Sequence, residues 1–287
     1  MLRVRRFAGL MGAGVLAVLG IFTAAVPAAA QNPRDPIRDW EFWRAPPRYP
    51  TPETRRDRYF SFARVAYRSV RWEPGGQGWR TDYPNADVNF MRRLAELTTA
   101  VVSGDDEEGF HHFVVELDDP RLFEFPFIFM SDVGTVGFSP EEARRLREYL
   151  LRGGFLWVDD FWGDRAWEQW VHEIGKVLPL SEYPIFDLPP DHPIFHSLYD
   201  VERVPQIPSI QFWRRSGGAT SERGAESAVP HLRGIADHSG RLMVLMSHNT
   251  DIADGWEREG EEYEFFYRFS PDAYALAINI VLYAMTH

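Results

Sequence analysis

The 287-residue chain contains no cysteine. That excludes disulfides, thiolate nucleophiles, Cys-ligated zinc and iron–sulfur clusters. Lysine is nearly as scarce: Lys176 is the sole one, and the other basic side chains are arginines. The glycine-rich stretch "EPGGQGW" therefore lacks the lysine of a phosphate loop, and no helix start follows it. No Gly-x-Ser-x-Gly elbow occurs. Positive charge is also short: 31 Arg and Lys face 42 Asp and Glu, a net charge of −11. Such a surface repels nucleic acid and anionic lipid and suits a neutral or cationic ligand, or a protein partner. No internal repeat is visible.

What is present begins with a long apolar run. "MLRVRRF" is basic, "AGLMGAGVLAVLGIFTAAV" is apolar, and "PAAAQ" offers Ala28 and Ala30 as a small-x-small cleavage site. Residues 1–30 read as a secretory signal, the alternative being an uncleaved membrane anchor. No later stretch is suited to spanning a bilayer. The expectation is an exported protein, periplasmic or extracellular, with no membrane span after signal cleavage. Removing Arg3, Arg5 and Arg6 leaves 28 basic and 42 acidic side chains, a net charge of −14. An exported chain without disulfides depends on its core, and Trp 10, Tyr 11 and Phe 21 supply large apolar side chains for one. Residues 31–58 are rich in proline and charge and read as a linker or wrapping arm, with Trp40, Phe42 and Trp43 docking on the domain.

Residues 59–287 read as one α/β domain. "YFSFARVAY", "HHFVVEL", "EFPFIFMSDV" and "FLWVDD" are strands, and the third is apolar enough to be buried on both faces. Between them lie helix patterns. One follows Asp82 or Asn85 as its cap. The next opens with Ser139, Pro140 and Glu142 as a capping box and ends at Gly153–Gly154. A third is "RAWEQWVHEIGKVL". This alternation predicts a mostly parallel sheet with helices on both faces. Pro179 to Gln211 forms a proline-rich insertion, and "SGGATSERGAES" reads as a mobile surface loop. Two late strands flank a Ser239–Gly240 turn, and a last helix is capped by Ser270.

In a parallel α/β sheet, ligands bind where loops converge at the carboxyl ends of the strands. Polar residues that directly follow strands are therefore the candidates. They are Asp132, then Asp159, Asp160 and Trp162, then His248, Asn249, Asp251 and Asp254. Asp159, Asp160 and His248 are the catalytic candidates; Asp132, Trp162, His192, Asn249 and Asp251 are the ligand-binding ones. Clustered carboxylates shift one another's pKa values, as acid–base work requires. The bland readings stand beside these. Asp159 and Asp160 can cap a helix or bind loop amides, Asp132 can make an Asx turn, and His248 can be structural. His192 and His196 are four apart, but Pro193 between them argues against a helical metal pair. His111–His112 opens a strand, where neighbours point to opposite faces. No metal or cofactor is specified by any of these patterns.

Six blocks in order, "WRTDYPNADVNFMRRLAELT", "FPFIFMSDVG", "LREYLLRGGFLWVDDFWG", "LPPDHPIFHSLYDVERVPQIP", "RLMVLMSHNTDIADGWE" and "YALAINIVLYAMTH", resemble the domain of unknown function 4159 family. The resemblance runs from about Tyr59 to the C-terminus. It implies a place in the class I glutamine-amidotransferase-like superfamily and a flavodoxin-like three-layer sandwich, but no reaction. A more distant similarity is to trehalose-utilisation-type proteins, through Gly153–Gly154, "DHPIF" and "SHN". Amidotransferases carry a cysteine after the fourth strand, where this chain has Asp159–Asp160–Phe161. The resemblance thus implies lost thiolate chemistry, and a carboxylate there can act as a base, bind a metal or contact sugar hydroxyls. The reading preferred from sequence is a noncatalytic cell-envelope domain that binds a ligand or partner, such as an envelope glycan or a protein. The alternative is a carboxylate- or metal-dependent hydrolase or carbohydrate-modifying enzyme.

Overall fold

A computed structural model describes residues 59–105 and 109–287. The readings for residues 1–58, the export signal and the proline-rich arm with Trp40, Phe42 and Trp43, lie outside the described residues. Among the described residues no helix is long and apolar enough to cross a membrane.

The central strands are buried on both faces, so each must be covered twice. The result is a seven-stranded sheet, with β1 (Phe62–Ala66), β4 (His112–Glu116), β5 (Phe127–Ser131), β6 (Phe155–Phe161), β7 (Phe186–Asp187), β8 (His231–Ala236) and β9 (Leu242–His248). Their spatial order is β4-β1-β5-β6-β9-β8-β7. The first five run parallel, and β8 is antiparallel to both β9 and β7. A separate two-stranded hairpin joins β2 (Gly104–Asp105) to β3 (Gly109–Phe110).

Alternation along each strand sorts the side chains into two cores. Phe62, Phe127, Phe129, Phe155 and Trp157 face α1 (Asn85–Leu97) and α6 (Tyr263–Thr286). Val65, Ile128, Met130, Leu156 and Val158 face α2 (Pro140–Leu151) and α3 (Gly163–Val177). The buried Trp157 indole donates to Ser247 Oγ at 2.7 Å, which removes the penalty of an orphan N–H. α2 starts as its sequence dictates: Ser139 and Glu142 form a reciprocal capping box with Pro140 in the first turn. It ends at a glycine pair: Gly153 takes a φ of 108°, and a Cβ on Gly154 would lie 2.3 Å from the Tyr149 ring.

Three local expectations fail for identifiable reasons. Asp82 does not cap α1. No side chain caps that helix, and Pro84 occupies the cap position while Asp82 turns away with φ 66°. Ser270 does not start α6, which begins at Tyr263 and carries Pro271 inside it. The Ser-Pro pair mimics a helix start, but Phe265 and Phe269 dock on Trp213 and hold the preceding turns in place. The stretch 216–227 is not a free loop: Ser227 is fully buried, and its hydroxyl accepts from Arg223 N at 2.8 Å. The proline-rich insertion packs onto the domain. It buries Ile194, Phe195, Val201 and Ile207 against the α6 face, supplies β7, and leads into α4 (Ile210–Ser216).

Candidate functional site

Parallel strands send their carboxyl ends to one pole. There the segments after β1, β5, β6 and β9 enclose a cavity of about 240 Å³. After β1 come Glu73 to Gln77, Thr81 and Asp82. β5 is followed by Asp132, and the end of β6 supplies Asp160 and Trp162. Beyond β9 come Asp251, Asp254, Glu257 and Arg258; the last two acids belong to the short helix α5 (Asp254–Glu257). The mouth is completed by Ser209, Gln211, Arg215, Glu222 and Arg223.

Among the described residues, four non-glycine residues have left-handed backbones, and each stands at one of these crossings: Asp82 (φ 66°), Asp132 (φ 52°), Asp160 (φ 55°) and Asn249 (φ 62°). Asp and Asn tolerate that conformation best, and such outliers concentrate at functional sites. Each acid is then fixed by neighbours. Arg64, fully buried, donates to Trp79 O at 3.1 Å and Thr81 O at 2.8 Å, pinning the loop that carries Asp82. Arg64 is itself neutralised by Asp87 of α1 at 2.5 Å. Asp132 Oδ2 accepts from Gly78 N at 2.7 Å. Only glycine fits beside it, since a Cβ on Gly76 would lie 2.2 Å from that oxygen. Asp160 Oδ1 accepts from Trp162 Nε1 at 3.0 Å, and Asp251 Oδ1 from Asp254 N at 3.0 Å.

The electrostatics are those of crowded acids. Burial raises Asp160 to about 8, helped by Glu222 and Asp159. It also pushes Asp82, Asp132, Asp251 and Asp254 well above the usual carboxylate range, and acidic neighbours add to the effect. One oxygen each from Asp82, Asp160 and Asp251 lie within 4.8 Å of one another, and so do oxygens from Asp82, Asp254 and Glu257. Oxygens on opposite sides of a hard cation at about 2.3–2.6 Å per bond span that distance. Asp254 is 4 % exposed and lines the cavity, and its carboxylate shares a hydrogen bond with that of Asp251. A divalent cation would suit this set of carboxylate oxygens.

Of the residues singled out by sequence, the structure brings Asp132, Asp160, Trp162 and Asp251 together in this cavity. Asp159, His248, Asn249 and His192 do not line it. Asp159 Oδ2 accepts from Ala253 N at 3.0 Å and so ties down the loop after β9; burial raises it to about 7. His248 packs between Phe161 and Trp167, each ring centroid 4.9 Å away. Its Nδ1 accepts from Arg233 at 3.1 Å, and Nε2 faces Gly163 O at 3.3 Å. Burial lowers its pKa to about 4, so it stays neutral. Asn249 accepts from Gly163 N and donates to Val229 O, bracing two loops. His192 lies at the far pole. Its ring packs, tilted, at 5.3 Å from that of Tyr283, which in turn touches Phe155 at the start of β6.

Sequence reasoning missed Glu73, Glu222, Glu257 and the three arginines, and read Asp82 as a cap. One signal was available. In "DIADGWE", Asp251, Asp254 and Glu257 recur every third residue, which places them on one side of a helical turn. Glu222 and Arg223 sit in a stretch whose composition resembles a loose loop, and nothing local marks them.

The family described as "Domain of unknown function (DUF4159)" matches residues 61–285, most of the chain. No curated protein matches it.

Proposed function

The chain belongs to the DUF4159 family, and from that premise we propose that its cavity is a divalent-cation site at which an oxygen-rich ligand is held and hydrolysed. The observation that carries this reading is the triad of Asp82, Asp160 and Asp251, with oxygens within 4.8 Å of one another at the floor of a cavity. A hard cation held by these oxygens would supply Lewis-acid activation of a ligand oxygen or a water. Asp132 or Asp254, whose pKa values are raised, then serves as the base or acid for proton transfer. The protein acts, on this reading, in the cell envelope after export. The parallel strands, numbered along the chain, stand in the order 2-1-3-4-5. That order supports a flavodoxin-like arrangement and the amidotransferase-like placement, with the acid pair Asp159–Asp160 where a thiolate would stand.

The lining itself favours a second reading, a noncatalytic cation-dependent binding domain for an envelope glycan or protein. Among the described residues no imidazole lines the cavity, and the two hydroxyls that do are engaged: Thr81 with Gly78 O and Ser209 with Phe212 N. One experiment addresses both. The full chain is titrated with Ca²⁺, Mg²⁺ and Mn²⁺ by calorimetry and then assayed, with cation present, on chromogenic phosphate esters and glycosides. We expect uptake that Asp160→Asn abolishes while circular dichroism is unchanged. Cation-dependent turnover selects the hydrolase, and uptake without turnover selects the binding domain. Absence of uptake, or uptake that Asp160→Asn leaves intact, overturns the cation site.

A further inference from the structure

We propose that Arg215 makes the cavity selective for ligands that carry an oxyanion, a carboxylate or a phosphate group. The proposal rests on the cavity being a ligand site, as read above, and names the class of ligand it takes.

The lining residues divide by depth. Asp82, Asp132, Asp251 and Asp254 are buried, whereas Gln77, Gln211 and Arg215 are exposed and stand at the opening. The three glutamates of the lining already have cations of their own. Glu73 pairs with Arg71, Glu222 with Arg223 at 3.5 Å, and Glu257 with Arg258 at 2.9 Å. Arg215 is left over. It lies in the last turn of α4 beside Arg214, which is taken by Glu261 at 3.1 Å and by Glu262. Among the described residues nothing engages the Arg215 guanidinium itself.

A second set of donors comes from the loop after β1. Gly75 and Gly76 line the cavity, and among the described residues their amide N–H groups reach no acceptor. Successive backbone amides in such turns accept oxyanions. Arg223 holds this loop in place through Pro74 O at 3.0 Å. The opening therefore offers a guanidinium and two amides, all donors and none of them committed.

The acids below do not oppose an anion at this level. Burial raises Asp82, Asp132, Asp160, Asp251 and Asp254, so near neutral pH they hold protons, or a cation compensates them. The uncompensated charge that an incoming ligand meets is then Arg215. A planar guanidinium offers paired N–H groups that match a carboxylate or a phosphate. A neutral sugar gives it nothing of opposite charge.

The probes are glucose, glucuronate and glucose 1-phosphate, alike in size and different in charge. Each is titrated onto the full chain by calorimetry, once with Ca²⁺ and once with chelator. We expect a charged probe to bind more tightly than glucose. Arg215→Ala should weaken that probe about tenfold, as loss of a charge-assisted hydrogen bond does, and leave glucose unchanged. Arg215→Lys keeps the charge without the fork and should lose less. Glucuronate ahead of glucose 1-phosphate identifies a carboxylate ligand, and the reverse order a phosphate. Equal binding of all three, no binding of either charged probe, or a preference that survives Arg215→Ala overturns the assignment. Cation uptake is measured in the same Ca²⁺ titrations, so failure of the cation site is seen separately: the chelator arm tests Arg215 without it.

Discussion

Raising the pH of the metal-free protein should destabilise it, and Asp160 lets the size be worked out. The unfolded chain releases this proton at about pH 3.9, but the folded chain holds it to about 8. Between those values the folded state binds the extra proton, so stability falls as pH rises, and the loss is complete above the folded value. From about pH 6.5 to 8.5, linkage for this one group gives a loss of about 2 kcal/mol. Asp160 keeps some exposure through the mouth, so this figure is a ceiling for the single site. In a domain of this size it corresponds to a fall in Tm of about 4–8 °C. The window is chosen because His248, whose pKa is lowered to about 4, acts with the opposite sign at lower pH. The assay is a thermal melt of the full chain with chelator, at intervals across that range, repeated with Mn²⁺ or Ca²⁺. We expect a falling Tm with chelator, a flat or rising Tm with cation, and a flattened slope in Asp160→Asn. A chelated wild type whose Tm holds steady or climbs, or an Asp160→Asn variant with an undiminished slope, would refute the account of crowded buried acids.

Other perturbations probe the scaffold. Asp87→Ala strands the fully buried Arg64 charge, and urea unfolding should show a loss of about 3–5 kcal/mol; a loss under about 1 kcal/mol would mean the pair is not desolvated. His248→Gln should leave cation uptake unchanged, because His248 does not line the cavity. In the parent, the unfolded chain takes up this proton at about 6.5 while the folded chain waits until about 4. The stability it contributes is therefore present above about pH 6.5 and lost towards 4, and the variant should not show that loss in acid melts. Gly154→Ala drives a methyl into the Tyr149 ring and should cost about 1–3 kcal/mol in urea unfolding; a neutral result would show that Tyr149 moves freely.

The readable parts of this protein were those whose cause is local. The capping box at Ser139 and Glu142, the glycine pair at 153–154 and the apolar strands each declare themselves within a few residues. Local signals also misled where tertiary packing overruled them, as when Phe265 and Phe269 extended α6 upstream of Ser270. The pole of the sheet was legible because a strand's carboxyl end can be found without knowing its neighbours. The choice among candidates was not. Asp159 and Asp160 are adjacent in sequence, yet one braces the Ala253 amide and the other lines the cavity, and only the register and backbone turn at the end of β6 divide them. Asp82 meets Asp254 through folding alone, at a sequence separation of 172, and no periodicity encodes that encounter.

The mouth carries one contact with a kinetic meaning. An Arg223 nitrogen reaches Pro74 O at 3.0 Å, joining segments 149 residues apart, so the two lips of the opening are latched by a single solvent-exposed hydrogen bond. On the proposed cation-binding reading, a bare ion would need little opening, whereas a polymer end would have to part the lips and break that bond. Size discrimination would thus reside at the threshold, and loosening it by Arg223→Ala would quicken entry of bulky ligands while leaving small ones indifferent.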